Sequence, residues 1–183
     1  MLNLFSKVIF KILKENTFSE IRRNKNSRIG KAFRIGNYPC VYIHSSASLS
    51  IGDNVHLKNY CNIVLAERAK VILGKNVFMN NYCSVNAIEK IEIGDNTLFG
   101  EGVKLYDHNH EYDGQGVEHK KFRSSPITIG KNCWLGSNVT VLRGVTIGDN
   151  CIIGANCLIH RNVAAGSIIR MDQSLTIQAG NSF

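Results

Sequence analysis

The sequence is poor in proline and lacks the motifs of several common protein classes. Two of its 183 residues are proline, and none of its six cysteines forms a Cys-x-x-Cys pair. This argues against a zinc ribbon or a redox dithiol, so we expect reduced, mostly buried thiols. No stretch reaches the roughly 18 apolar residues of a membrane span, and no secretory signal is recognisable. These features predict a cytoplasmic protein.

The charge is unevenly distributed along the chain. The net charge is +8, and hydrophobic residues make up 44% of the sequence, which suits one folded domain. Basic residues are concentrated near the start, at Lys7, Lys11, Lys14, Arg22, Arg23, Lys25, Arg28, Lys31 and Arg34. Because no nucleic-acid-binding signature accompanies them, we interpret them as a solvated basic face and expect no nucleic-acid partner.

Residues 2–23 have the periodicity of an α-helix, with lysines between apolar positions. This helix could cover the end of the following element, or it could lie on a membrane surface as a basic amphipathic helix and make a peripheral contact with the inner face. We favour the cap, because the open end of a repeat structure exposes core and unpaired backbone.

From about residue 40 the sequence repeats with periods of six and eighteen. Five segments share one form, namely Ile51-Gly52-Asp53-Asn54, Leu73-Gly74-Lys75-Asn76, Ile93-Gly94-Asp95-Asn96, Ile129-Gly130-Lys131-Asn132 and Ile147-Gly148-Asp149-Asn150. A coil of three flat faces, each about six residues long, returns to its starting point after eighteen residues. One inward aliphatic side chain per face and parallel pairing between coils would build a prism. The sequence therefore predicts an all-β fold.

The sequence repeat departs from its regular period in two ways. The spacings from Gly52 to Gly74 and from Gly74 to Gly94 are 22 and 20 residues, which predicts small bulges or loops in the early coils. The spacing from Gly94 to Gly130 is 36, and residues 107–126 lack the repeat. We interpret this as one coil plus an extruded loop, where chemistry tends to lie on a rigid scaffold.

The repeat resembles that of the hexapeptide acyltransferases over about residues 40–169. The resemblance implies a left-handed parallel β-helix and a homotrimer. The chain then divides into an N-terminal helical cap segment (1–39), a β-helix acyltransferase domain (40–169, with the loop at 107–126) and a C-terminal tail (170–183).

Two histidines, His108 and His110, stand where the loop leaves the prism. Acyl transfer needs a base that takes the acceptor's proton, and the ordinary pKa of histidine suits this role. The loop resembles that of galactoside, maltose and streptogramin acetyltransferases, in which a histidine just before the loop is the base. His110 matches that position, and His108 would orient it or contact substrate. The carboxylate that orients the imidazole could be Asp107, Glu111 or Asp113.

The same resemblance implies a set of binding residues. The segment from Cys133 to Ser137 resembles the WIG[SA] stretch of these enzymes, in which the tryptophan lies along the donor and acceptor site and a backbone N–H faces the thioester oxygen. It implies acetyl-CoA contacts at Trp134, Gly136, Ser137, Gly154, Ala155 and Arg161, and acceptor contacts at Asn80, His108 and Trp134. The family's closing G-N-P-A-K segment has no match in 167–175, so the adenine-end contacts do not carry over.

The resulting prediction is an acetyl-CoA-dependent O-acetyltransferase that acts on a sugar or polysaccharide precursor, with His110 as base and no metal. One alternative is a zinc enzyme like the γ-class carbonic anhydrases, using His108, His110 and His56, which lies 54 residues before His110. Another is a non-catalytic trimeric β-helix module. Stoichiometric zinc would favour the first alternative, and failure to bind coenzyme A would favour the second.

Overall fold

The computed structural model describes residues 4–171 as one helix followed by a parallel β-helix. Helix α1 (Leu4–Arg23) leads into coil 1, with β1 (Arg28–Ile29), β2 (Arg34–Ile35) and β3 (Cys40–Ile43). Coil 2 holds β4 (Ser48–Ile51), β5 (His56–Leu57) and β6 (Asn62–Leu65), and coil 3 holds β7 (Lys70–Leu73), β8 (Phe78–Met79) and β9 (Ser84–Ala87). Coil 4 holds β10 (Lys90–Ile93), β11 (Leu98–Phe99) and β12 (Lys104–Tyr106).

A hairpin then interrupts the prism, formed by β13 (His108–Tyr112) and β14 (Val117–Ser124). Coil 5 follows with β15 (Ile127–Ile129), β16 (Trp134–Leu135) and β17 (Thr140–Leu142). Coil 6 has β18 (Thr146–Ile147), β19 (Ile152–Ile153) and β20 (Leu158–Ile159), and β21 (Ile168–Ile169) lies on a further turn that starts with a bridge between Ile147 and Val163. The extruded loop that the sequence predicts is therefore an antiparallel hairpin.

The strands form three parallel sheets, one on each side of the prism. Face A contains the first strand of every coil, face B the second strands together with β21, and face C the third. Because each coil runs from face A to B to C, the chain turns at a B/C edge and then at a C/A edge before it starts the next coil. The hairpin leaves the prism at the C/A edge, between β12 and β15.

The repeated Gly-Asp/Lys-Asn segments form the turns between faces A and B. Asn54, Asn76, Asn96, Asn132 and Asn150 all have positive φ, and their side-chain amides form a hydrogen-bonded ladder with distances of 2.8–3.1 Å. Asparagine tolerates this left-handed backbone at low cost. A Cβ on Gly94 would lie 2.6 Å from the Gly130 carbonyl carbon, so the stacking of coils itself requires glycine there.

The early coils are wider than the late ones, and this corrects the prediction of bulges or loops. Coil 5 turns two side chains inward on face A, Ile127 and Ile129, whereas coil 2 turns three inward, Ala47, Leu49 and Ile51. Strands β4 and β7 on face A and β3, β6 and β9 on face C have four residues, and coils 1 to 3 pair at a spacing of 22. The early coils therefore have two extra residues on each of two faces. Because two is an even number, inward and outward side chains still alternate along each strand. The expected single inward side chain per face was an underestimate.

Helix α1 packs on the first coil, as expected for a cap. Ile21 and Thr17 are buried, and the rings of Phe18 and Phe33 meet edge to face at 5.4 Å. No helix in the described range 4–171 is long and apolar enough to cross a membrane. Residues 172–183, which make up most of the expected C-terminal tail, lie outside the described range.

The first coil begins at Arg28, earlier than the expected boundary at residue 40. The segment Ile29-Gly30-Lys31-Ala32 has the repeat form except at its last position. Ala32 adopts the positive φ of 55° that asparagine has in later coils. Pairing of β1 with β4 holds this coil in place, so the prism continues where its sequence signal weakens.

Candidate functional site at the hairpin and the prism edges

His108 is held at the root of the hairpin by a buried carboxylate. Its Nδ1 lies 3.0 Å from Oδ1 of Asp107, which is fully buried. The same carboxylate accepts hydrogen bonds from the backbone N–H groups of Ile88 and Glu89 at 2.8–3.1 Å. Three donors thus converge on Asp107, which ties the hairpin root to the turn between coils 3 and 4 and orients the His108 ring.

His110 lies two residues after His108 on β13 and is exposed to solvent. Its Nδ1 is 3.2 Å from the carbonyl oxygen of Glu118, across the hairpin. A ring that donates from Nδ1 to this carbonyl keeps Nε2 as an acceptor. The Phe122 ring packs against His110 at 4.4 Å between centroids and against His108 at 5.5 Å. One aromatic side chain therefore supports both imidazoles.

A break in the hairpin register accounts for the His110 contact. His110 is opposite Phe122, but the next residue, Glu111, is opposite Glu118. Three residues of β14, 119–121, therefore have no cross-strand partner and form an irregular bulge. Bulges of this kind re-aim nearby groups, and here the bulge brings the carbonyl of Glu118 to His110.

None of the three carboxylates considered from the sequence contacts His110. Asp107 binds His108 instead. Glu111 is 3.8 Å from Nε of Arg123, and Asp113 accepts the backbone N–H groups of Gln115 and Gly116 at the hairpin tip. These two N–H groups lower the pKa of Asp113. No sequence feature indicates that a backbone carbonyl holds His110, because the contact depends on the bulge.

Trp134, Gly136 and Ser137 lie together on face B and the adjoining B/C edge of coil 5. The Trp134 side chain is 54% exposed and stands between Leu98 and Ile152 in the parallel register. Gly136 is buried beneath the next coil, where an added Cβ would meet the Ala155 backbone at 2.7 Å. The exposed Ser137 N–H has no hydrogen-bond acceptor among the described residues.

The other predicted binding residues divide between two edges. Gly154 and Ala155 occupy the B/C edge of coil 6, directly beyond Gly136 and Ser137. Asn80 lies on the B/C edge of coil 3, where its side-chain oxygen accepts the Asn81 N–H at 2.9 Å. Arg161 follows β20 on the C/A edge, exposed beside His160.

In one chain, therefore, face C separates the hairpin histidines from the Trp134 and Ser137 group. The histidines leave the C/A edge, and the other group lies on face B and the B/C edge. The structure does not bring His110 together with Trp134, Ser137 or Asn80 within a single protomer. It also adds Phe122 and Glu118 to the site, and neither has a recognisable sequence signal beyond its place in the loop.

His56 is distant from the hairpin histidines within the chain. It lies on face B of coil 2 and meets the Phe78 ring edge-on at 5.5 Å. Burial, with the nearby charges of Arg34 and Lys58, lowers its pKa. Within residues 4–171, no group of three or more His, Cys, Asp or Glu side chains is arranged to hold a metal ion.

Residues 126–161 match the family described as bacterial transferase hexapeptide, six repeats. This segment runs from the end of the hairpin through coils 5 and 6. A relative in Escherichia coli K12, the putative lipopolysaccharide biosynthesis O-acetyl transferase WbbJ, is 30% identical over 120 residues. Residues 126–161 are thus similar to hexapeptide-repeat transferases.

A second acetyltransferase is similar to the chain over a shorter stretch. Galactoside O-acetyltransferase of Escherichia coli K12 is 38% identical over 55 residues. The chain spans 61% of the length of WbbJ and 27% of this second relative, and the two alignments cover 61% and 30% of the chain.

Solved acyltransferase structures share the fold of this chain. A maltose O-acetyltransferase from Clostridium difficile 630 superposes with a TM-score of 0.57 at 27% identity, covering 84% of this chain and 69% of its own. The N-acyltransferase AntD from Bacillus cereus, in complex with dTDP-4-amino-4,6-dideoxyglucose and coenzyme A, gives 0.70 at 18% identity, covering 80% of both chains. The prism is thus a left-handed parallel β-helix, as the resemblance implied.

Proposed function

We propose that this hexapeptide-repeat protein transfers an acetyl group from acetyl-CoA to a hydroxyl of a sugar or polysaccharide precursor, with His110 as the general base. The observation that carries this proposal is the fixed His110 ring. Its Nδ1 is held by the Glu118 carbonyl, while the exposed position of the side chain leaves Nε2 open to an acceptor.

The base step follows from this orientation. Nε2 of His110 takes the hydroxyl proton while the acceptor oxygen attacks the thioester carbonyl carbon. The imidazolium that forms keeps its Nδ1–H bonded to Glu118, and the Phe122 ring beside it restricts rotation. When the tetrahedral intermediate collapses, His110 returns the proton to the departing thiolate. The products are an acetyl ester and free coenzyme A.

The unpaired Ser137 N–H is suited to face the developing oxyanion. A backbone donor that needs no reorganisation stabilises charge effectively at a site sheltered from water. Trp134 would form a wall of the donor site, and Gly136, Gly154 and Ala155 would leave room for a pantetheine arm along the B/C edge. Arg161 supplies a cation for the coenzyme A phosphates, and Asn80 would contact the acceptor.

Because these groups lie on different edges of one prism, the site needs a second copy of the chain. In a homotrimer, the C/A edge of one protomer would face the B/C edge of its neighbour. Face B carries an exposed apolar stripe suited to such a contact, which includes Leu98, Trp134, Ile152 and Ile168 at 39–56% exposure. Stripes of this kind mark interaction surfaces.

The test is an acetyl-transfer assay with acetyl-CoA, a panel of sugars and a thiol reagent that detects released coenzyme A. We expect His110→Ala to lower kcat by roughly a hundredfold or more, the usual scale for removal of a general base. His119→Ala is the matched control, because His119 is exposed in the neighbouring bulge without contacting His110. Equal activity of wild type and His110→Ala would refute the base assignment.

Binding of the donor can be measured separately from catalysis. A thermal shift on adding coenzyme A is expected for both wild type and His110→Ala, since ligand at 100 times its Kd stabilises by about 2.7 kcal/mol. Absence of any shift would leave a non-catalytic module as the better explanation. Stoichiometric zinc in purified protein would instead favour metal-dependent chemistry at the histidines.

A further inference from the structure

The first half of helix α1 carries an apolar patch that nothing in the described structure covers. Val8, Ile9 and Ile12 are 49%, 37% and 52% exposed. At 100° per residue these three positions fall on one side of the helix, and the buried Thr17 and Ile21 fall on the other. The helix therefore uses one face to cap the prism and leaves a second apolar face in solvent.

The apolar patch lies at a strongly cationic end of the molecule. Residues 1–34 contain nine Lys or Arg and two Glu, so this end accounts for nearly all of the net charge of +8. Lys7 and Lys11 are exposed within the same turns as the patch, and Arg28 and Lys31 are exposed on the first coil. Among the described residues, no cation of this segment forms an ion pair.

We propose that this end of the prism docks on an anionic lipid bilayer, with Val8, Ile9 and Ile12 inserted among the headgroups and the surrounding cations facing lipid phosphates. An apolar strip on a helix that also exposes lysines is typical of a helix at a membrane interface. The charge argues against a second copy of this chain as the occupant, because a self-contact would bring two cationic ends together. The proposal does not depend on the acetyl-transfer function.

The helix is attached in a way that permits this docking. Its second half is fixed to the prism by Thr17, Phe18 and Ile21. Among the described side chains of the first half, the Phe10 ring meets Tyr38 at 5.0 Å. Tyr38 in turn stacks on Tyr60, and Tyr60 on Tyr82, at 4.9 and 5.0 Å. This ladder braces the helix against the prism while its outer face stays free.

The test is co-sedimentation of the full chain with vesicles of phosphatidylcholine alone or mixed with phosphatidylglycerol. We expect binding to the mixed vesicles that weakens with added salt, and little binding to phosphatidylcholine alone. Lys7→Gln with Lys11→Gln should weaken binding by roughly fivefold per lysine, the equivalent of about 1 kcal/mol each. Ile9→Gln with Ile12→Gln should weaken it by roughly tenfold or more.

Matched controls separate docking from bulk charge. Lys75→Gln with Lys131→Gln removes the same charge from exposed positions at the A/B turns and should leave binding unchanged. Val117→Gln, at the hairpin, is the control for Ile12→Gln because both side chains are more than half exposed. No binding of wild type to mixed vesicles, or equal losses in test and control variants, would overturn the proposal. So would a change in oligomeric mass of the helix variants without vesicles, which would make the patch a subunit contact.

Discussion

The Asp107 carboxylate lies 3.0 Å from Nδ1 of His108 while it also receives the backbone N–H groups of Ile88 and Glu89. One fully buried side chain thus joins the prism to the hairpin that carries His110. The position of Asp107 in the coil accounts for its burial. Asp107 follows β12 at the position where Ala87, one coil earlier, points into the core.

We expect Asp107→Asn to lower the free energy of unfolding by about 1–3 kcal/mol, the cost of leaving buried donors poorly paired. The amide keeps one acceptor oxygen but replaces the other with a donor that faces N–H groups. Urea unfolding measures the change. Asp113→Asn is the control, since Asp113 also accepts two backbone N–H groups but at the exposed tip. Equal losses in the two variants would contradict the role assigned to Asp107.

The apolar stripe on face B predicts the effect of a charge placed within it. Ile152→Arg should dissociate the proposed homotrimer, because a desolvated charge without a partner is costly at an interface. Sedimentation velocity gives the mass. Leu158→Arg is the comparison, since Leu158 is exposed on face C. If Ile152→Arg keeps the wild-type mass, face B is not the subunit contact.

The cysteines should differ sharply in reactivity. Cys40 is exposed and the other five are buried, and burial raises the pKa of the Cys133 thiol. Since the thiolate is the reactive form, a thiol reagent should modify one cysteine in the native protein and all six in denaturant. Cys40→Ser should remove the native reaction. Rapid labelling of a second thiol would show that a coil opens.

The lowered pKa of His56 should make the folded protein less stable as the pH falls. Burial and the charges of Arg34 and Lys58 lower its pKa in the folded state. As the pH falls below the ordinary histidine pKa of about 6.5, the unfolded chain takes up a proton that the folded chain resists, so stability is lost. His56→Gln should therefore show a smaller fall in Tm between about pH 7 and pH 5. An unchanged fall would mean that other groups dominate.

Much of the fold could be predicted because the repeated residues, such as the glycines and asparagines of the turns, each meet a requirement of the backbone at their own position. Gly94 must lack a Cβ where the next coil passes, and Asn96 adopts the left-handed turn, so the recurring Gly-x-Asn segments mark the A/B turns. The same reasoning failed at Ala32, where pairing with the next coil sustains a turn that its own residue does not favour.

The sequence by itself determined the prism, the interruption after β12 and the pair of histidines there, since periodicity and its loss are local properties. Only the tertiary structure decided which group holds each imidazole. Asp107 reaches His108 because it is buried under the turn at Ile88, and Glu118 reaches His110 because a bulge shifts the hairpin register. Asp107 is adjacent to His108 in the chain, but its contact with Ile88 and the contact of Glu118 with His110 join residues that the coil and the hairpin bring together. The repeat pattern of the sequence does not indicate either of these two contacts.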